Sequence, residues 1–143
     1  MEWKMFLIQG IELLFIAMGT YFDIKSRELP IRFLAGFGFV GILCNVLWTY
    51  QSLSAVLGSF VIGGMFLMIG WISSEAIGYA DAISFIILGI FQGWQRMIGI
   101  VFVAFLGSGF FGIWRILKCG AKGKDTMPFF PFLFLAELGV LVL

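Results

Sequence analysis

An all-α polytopic membrane protein, a six-transmembrane helix bundle with both termini outside the cytoplasm (N-out, C-out), is the fold this sequence predicts. Three observations carry that expectation: an apolar composition, six hydrophobic stretches near the length of a bilayer crossing, and basic residues gathered on alternate loops. Hydrophobic residues make up 62% of the 143 positions and charged residues 12%, with a mean hydropathy of +1.09. Soluble domains carry about 25% charged and about 45–50% apolar residues, so the excess is more than a small soluble core can hide. A net charge of +1 gives no electrostatic reason to expect nucleic acid as a partner. The expected surroundings are the lipid bilayer.

A helix crosses a bilayer with about 20 mostly apolar residues, and about 17–25 is the usual range. The first stretch runs from Met5 to Phe22. Lys4 before it gives the look of a signal peptide, but no A-x-A-like cleavage site follows, so the span is expected to be retained. The second stretch runs from Phe33 to Tyr50 and the third from Ala55 to Ile72. The fourth, Ala76 to Gly93, reaches crossing length only with Asp81 inside it. The fifth is Met97 to Trp114 and the sixth Met127 to Leu143. Connections are short apart from residues 23–32 and 115–126, which leaves no room for a separate soluble module. The chain, 1–143, therefore reads as a single domain.

Small residues at helical spacing mark expected packing seams: Ala104, Ser108 and Gly112; Ser59 with Gly63; Gly89 with Gly93. Trp48, Tyr50, Trp71, Trp94 and Trp114 fall near span ends, as an interfacial aromatic belt requires.

Basic residues resist translocation, so they set orientation. The first loop holds Lys25, Arg27 and Arg32, and the fifth holds Arg115, Lys118, Lys122 and Lys124. Only Lys4 and Arg96 fall on the opposite side. Loops one, three and five are thus expected in the cytoplasm. Asp23, closing the first span, and Asp81, near the start of the fourth, then lie at the same face and at similar depth.

A carboxylate near hydrocarbon is costly, roughly 2.5–3.5 kcal/mol at a span centre on the insertion scale. Two carboxylates that share a site cannot both ionise easily, so one keeps a proton. Such a pair supplies a general base to activate water and a general acid to protonate a carbonyl oxygen or a departing amine. Peptide hydrolysis by that route needs no metal and no nucleophilic side chain. The chain has no histidine, and its two cysteines, Cys44 and Cys119, are far apart. The usual serine route and a conventional zinc site are therefore unexpected; no metal or cofactor is assigned, and both cysteines read as plain thiols.

The plainer reading makes Asp23 an interfacial residue facing Lys25 and Arg27, and Asp81 a helix-start residue favoured by the helix dipole. Glu12 precedes Asp23 by eleven residues, about three turns, which puts both on one side of a helix about 16 Å apart. It is either a polar wall of a water cavity reaching Asp23 or, like Glu137 in the sixth span, a residue paired with a serine, a glutamine or a backbone carbonyl, or left protonated.

The surroundings of the two aspartates also carry a resemblance. Asp23-Ile24-Lys25-Ser26-Arg27-Glu28-Leu29-Pro30 resembles the aspartate, basic residues and proline that follow the first catalytic span of type IV prepilin peptidases. Gly78-Tyr79-Ala80-Asp81 resembles their G-x-G-D motif, shared with presenilin and preflagellin peptidases. Pro128-Phe129-Phe130-Pro131-Phe132 resembles the segment opening the family's last span. The order and spacing of these landmarks agree across nearly the whole chain. Three departures stand out: Ala80 for the second glycine, Ile83 where many members carry lysine, and Ile31 where asparagine is common. The paired C-x-x-C cytoplasmic domain of long bifunctional members is not expected here. The chain is similar to the short form of Tad-type pilus systems, so N-methylation is not assumed.

The resemblance implies a membrane aspartic endopeptidase with Asp23 and Asp81 as the catalytic pair. It would remove the short basic leader of a prepilin or pseudopilin at the cytoplasmic membrane face, while the substrate's hydrophobic stalk lies between spans. Lys25, Pro30, Gly78, Ala80, Pro128 and Pro131 support the motifs, and Glu28 and Glu75 lie near the leader's expected path. Two alternatives stay open. A proton-coupled small transporter would use Asp23, Asp81 and Glu12, although a relay should place ionisable groups through the midplane. An inactive homologue with a scaffolding role has Ala80 as its hint.

Overall fold

The computed structural model describes residues 2–26, 29–48, 51–72, 79–118, 120 and 129–142. Within them the chain forms six α-helices and no strand: α1 Glu2–Ser26, α2 Ile31–Trp48, α3 Leu53–Ile72, α4 Tyr79–Gln92, α5 Trp94–Lys118 and α6 Phe130–Val142. Four of the helices, α1, α2, α3 and α5, are long and apolar enough to cross a membrane. The other two, α4 and α6, are shorter apolar helices of 14 and 13 described residues. The protein is a multi-pass, all-helical membrane protein.

The helix ends follow local chemistry. α1 runs four residues past Phe22, so Asp23 lies inside its last turn rather than beyond it. Ser26 Oγ donates back to the Phe22 carbonyl at 3.1 Å, and Lys25 sits where a cation favours the carbonyl end of the helix dipole. α2 starts just after Pro30, whose carbonyl accepts the Leu34 N–H at 3.1 Å. Proline suits that place because its fixed φ is already helical and its missing N–H would have had no intrahelical partner. α3 begins two residues before the predicted stretch because Ser52 Oγ accepts the Ala55 N–H at 3.2 Å, a side-chain cap on an otherwise unpaired amide.

α4 is the centre of the bundle. It packs against α1, α2, α3 and α5, and Ala82, Ser84, Phe85 and every residue from Ile87 to Gln92 are buried. Its seam with α3 depends on small residues. A Cβ at Gly89 would overlap the Ser59 side chain, and one at Gly63 would overlap Ile86. Ser59 satisfies its own hydroxyl on the Ala55 carbonyl at 2.9 Å. Gly93 has another role: with φ at +89° it turns the chain from α4 into α5. Of the small stripe on α5, only Ala104 is buried, while Ser108 and Gly112 are half-buried.

Phe15, Phe85 and Phe130 fill the centre with Ile16, Leu88, Leu133, Met97 and Ile100. At the end where α1 begins and α2 ends, Trp3 and Trp48 meet edge to face at 6.0 Å. Lys4 Nζ lies 5.6 and 5.9 Å from their ring centroids. Tyr50 lies outside the described residues.

Two stability outcomes follow. Gly93→Ala forces a side chain into the left-handed region and should cost about 1–2 kcal/mol. Gly89→Leu should cost about 1–3 kcal/mol by overpacking the α3–α4 seam. Tryptophan-monitored SDS unfolding in mixed micelles reads both, and unchanged midpoints would contradict these assignments.

Candidate functional site

Asp23 sits on the buried face of α1, 9% exposed. Its Oδ2 accepts the backbone N–H of Phe130 at 2.9 Å. Phe130 is the first residue of α6, where backbone amides have no carbonyl one turn earlier to bond. The amino end of α6 thus presents a donor and the positive end of its dipole to a carboxylate on another helix. Pro131 occupies the first turn of α6, where a missing N–H costs nothing.

Gly19 lies one turn before Asp23 on the same face of α1. A Cβ there would come within 2.5 Å of the Phe130 ring. The absent side chain lets that ring lie against α1 and brings the Phe130 N–H to Asp23. Sequence reading did not single out Gly19 or the Phe130 amide. The available signal was a glycine four residues before an aspartate on one helical face.

Asp81 stands in the first turn of α4 and is half-buried. α1 and α4 pack against each other, with Asp23 in the last turn of one and Asp81 in the first turn of the other. Ala80, beside Asp81, packs half-buried against the central apolar cluster, and its carbonyl accepts the Ser84 hydroxyl at 2.8 Å. Lys25 points along α1 instead, with Nζ donating to the Tyr21 hydroxyl at 3.2 Å. Pro30 serves as the start of α2. Gly78, Pro128, Arg27, Glu28, Glu75 and Cys119 lie outside the described residues. Cys44 is a buried free thiol.

A second polar group lies deeper in the bundle. Gln92, the last residue of α4, donates from Nε2 to Glu12 Oε1 on α1 and to Glu137 Oε2 on α6, the latter at 2.8 Å. Glu12, Gln92 and Glu137 are 3%, 9% and 1% exposed. Glu12 thus meets a glutamine, one of the partners its position allowed, and Glu137 meets the same one. Arg96, at the start of α5, is exposed. Among the described residues, no three acidic, cysteine or histidine side chains gather in a way that could hold a metal ion.

Chemically, the first site offers one carboxyl group held by a backbone donor, that of Asp23, and a second, half-buried one, that of Asp81. They sit at the end of the bundle where α1 finishes and α4 and α6 begin.

Comparison with known proteins agrees in extent and in kind. Residues 11–113 match the profile of the Type IV leader peptidase family. The chain is 32% identical over 133 residues to the prepilin leader peptidase/N-methyltransferase of Pectobacterium carotovorum subsp. carotovorum, covering 86% of this chain and 46% of that protein. It is 27% identical to the protein of the same description from Aeromonas hydrophila, over 82% of this chain and 42% of that protein. Leader peptidase HopD of Salmonella typhimurium is 27% identical, over 85% of this chain and 82% of its own length. The chain spans less than half the length of these prepilin leader peptidase/N-methyltransferase relatives. No solved structure matches it. A profile that runs through α1 to α5 and includes both aspartates places the chain in a family of proteases: it belongs to the type IV leader peptidase family.

Proposed function

We propose that the chain is an aspartic endopeptidase that removes the short basic leader from prepilins or pseudopilins at the cytoplasmic face of the cell membrane. Asp23 and Asp81 are its catalytic pair. The reading rests on one observation: a buried Asp23 held by the Phe130 N–H at the end of α1, with Asp81 half-buried in the first turn of α4, at the end of the bundle to which lysine and arginine assign a cytoplasmic position. Family membership supports the class of reaction.

In this reading one carboxyl group of the pair is ionised and the other protonated. The ionised one takes a proton from water as its oxygen attacks the scissile carbonyl carbon. The protonated one donates to the carbonyl oxygen, and protonation of the amine completes the cleavage. Neither aspartate is assigned the role of base. The Phe130 N–H holds Asp23 in place without taking part in proton transfer. The substrate's basic leader lies on the cytoplasmic side and its hydrophobic stalk lies in the bilayer between helices.

Two outcomes test the site. Asp23→Asn or Asp81→Asn alone should lower leader removal by about 100- to 10,000-fold while the protein still inserts. Co-expression with candidate prepilins and mass measurement of their amino termini reads this. Normal processing by either variant would falsify the assignment. Gly19→Leu, which displaces the Phe130 ring, should lower kcat by about 10- to 100-fold. Gly10→Leu, at a position with open space around it, should leave kcat near the parent value in the same assay.

A further inference from the structure

The Glu12–Gln92–Glu137 group has no part in the chemistry above, yet it occupies the same three helices as the aspartate site. α1 carries Glu12 and Asp23, eleven residues apart; α4 carries Asp81 and Gln92, also eleven apart. α6 carries the Phe130 amide and Glu137, seven apart. Eleven residues are close to three helical turns and seven close to two. Each helix therefore presents both of its polar members on one face. Between the two polar layers lie Phe15, Ile16, Phe85, Leu88 and Leu133, all buried in the central cluster.

An apolar layer of that kind does not define how far one helix slides along another. Lipid tails are as apolar as leucine, so there is little hydrophobic drive for one register over the next. Gln92 does define it. The two hydrogens of a single amide nitrogen are divided between carboxyl groups on two other helices. The amide oxygen is buried without a hydrogen-bond partner among the described residues, so the side chain's hydrogen bonds go to those two carboxyls. A slip of one turn, 5.4 Å, would strand all three groups in an apolar interior. In coiled coils, one buried polar residue is enough to specify register in this way.

We propose that Glu12, Gln92 and Glu137 are positioning residues: a polar clamp that locks the axial register of α1, α4 and α6 and so aligns Asp23, Asp81 and the Phe130 N–H. The catalytic part of this inference rests on the peptidase reading of the aspartates; the register part does not.

The test separates the two. Spin labels are placed at Ala17→Cys and Leu135→Cys, both on exposed faces of α1 and α6, in a chain carrying Cys44→Ala and Cys119→Ser. Distances between them are measured by pulsed electron resonance in lipid nanodiscs, and cleavage kinetics are measured on the unlabelled counterparts. Gln92→Leu should broaden or shift the distance distribution and lower kcat by about 100-fold, with KM within about twofold of the parent. Glu137→Leu should do the same, which keeps the test open if Gln92→Leu fails to insert. Glu137→Gln retains an acceptor for the Gln92 amide and should restore the parental distribution and kcat. A parental distribution in both leucine variants would overturn the clamp, and so would equal broadening in Glu137→Gln. If the parent cleaves no leader while the leucine variants still broaden the distances, the register lock stands and the peptidase reading fails.

Discussion

A carboxyl group set among apolar helices must find its partners inside the protein, and this constraint shapes the bundle. Asp23 meets it with a backbone amide that α6 cannot use internally. Glu12 and Glu137 meet it by sharing one amide nitrogen from α4. In both places the partner comes from another helix, because hydrocarbon offers none. A hydrogen bond joins α1 to α6 near one end, and Gln92 joins α4 to both of them deeper inside.

The central place of α4 follows from the same logic. The 14 described residues of α4, about 21 Å at 1.5 Å per residue, are shorter than the hydrocarbon core of about 30 Å. Longer helices surround it, and α3 approaches closely because glycines at 63 and 89 remove side chains from the seam. Burial among four neighbours makes α4 a rigid support, and Asp81 stands in its first turn. Gly93 then turns the chain directly into α5, leaving Gln92 at the inner end of α4.

The departures from the prepilin peptidase pattern take ordinary structural roles where they are described. Ala80 packs its methyl group against the apolar cluster. Ile83, where many members carry lysine, is likewise half-buried against that cluster. Ile31, after Pro30, is 67% exposed in the first turn of α2. None of the three lies between Asp23 and its Phe130 partner. They change the rim of the candidate site more than the geometry of the carboxyl groups.

Much of the fold was legible in the amino-acid sequence. Apolar stretches give the helices, and proline, serine and glycine give several of their ends, because these depend on local propensity and on the length of a bilayer crossing. The basic residues, counted by loop, also bring Asp23 and Asp81 to one face, since topology alone decides sides. Exact lengths were less legible: α1 continues through Asp23 because nothing in Asp-Ile-Lys-Ser breaks a helix, although hydropathy falls there. Glu12 and Glu137 were visible as polar residues within spans, but their common partner was not. That Gln92 serves both, that Gly19 makes room for Phe130, and that the Phe130 amide holds Asp23 were decided only by tertiary structure. Each depends on which faces of distant helices meet and at what height, and hydrophobic periodicity within one helix does not encode that.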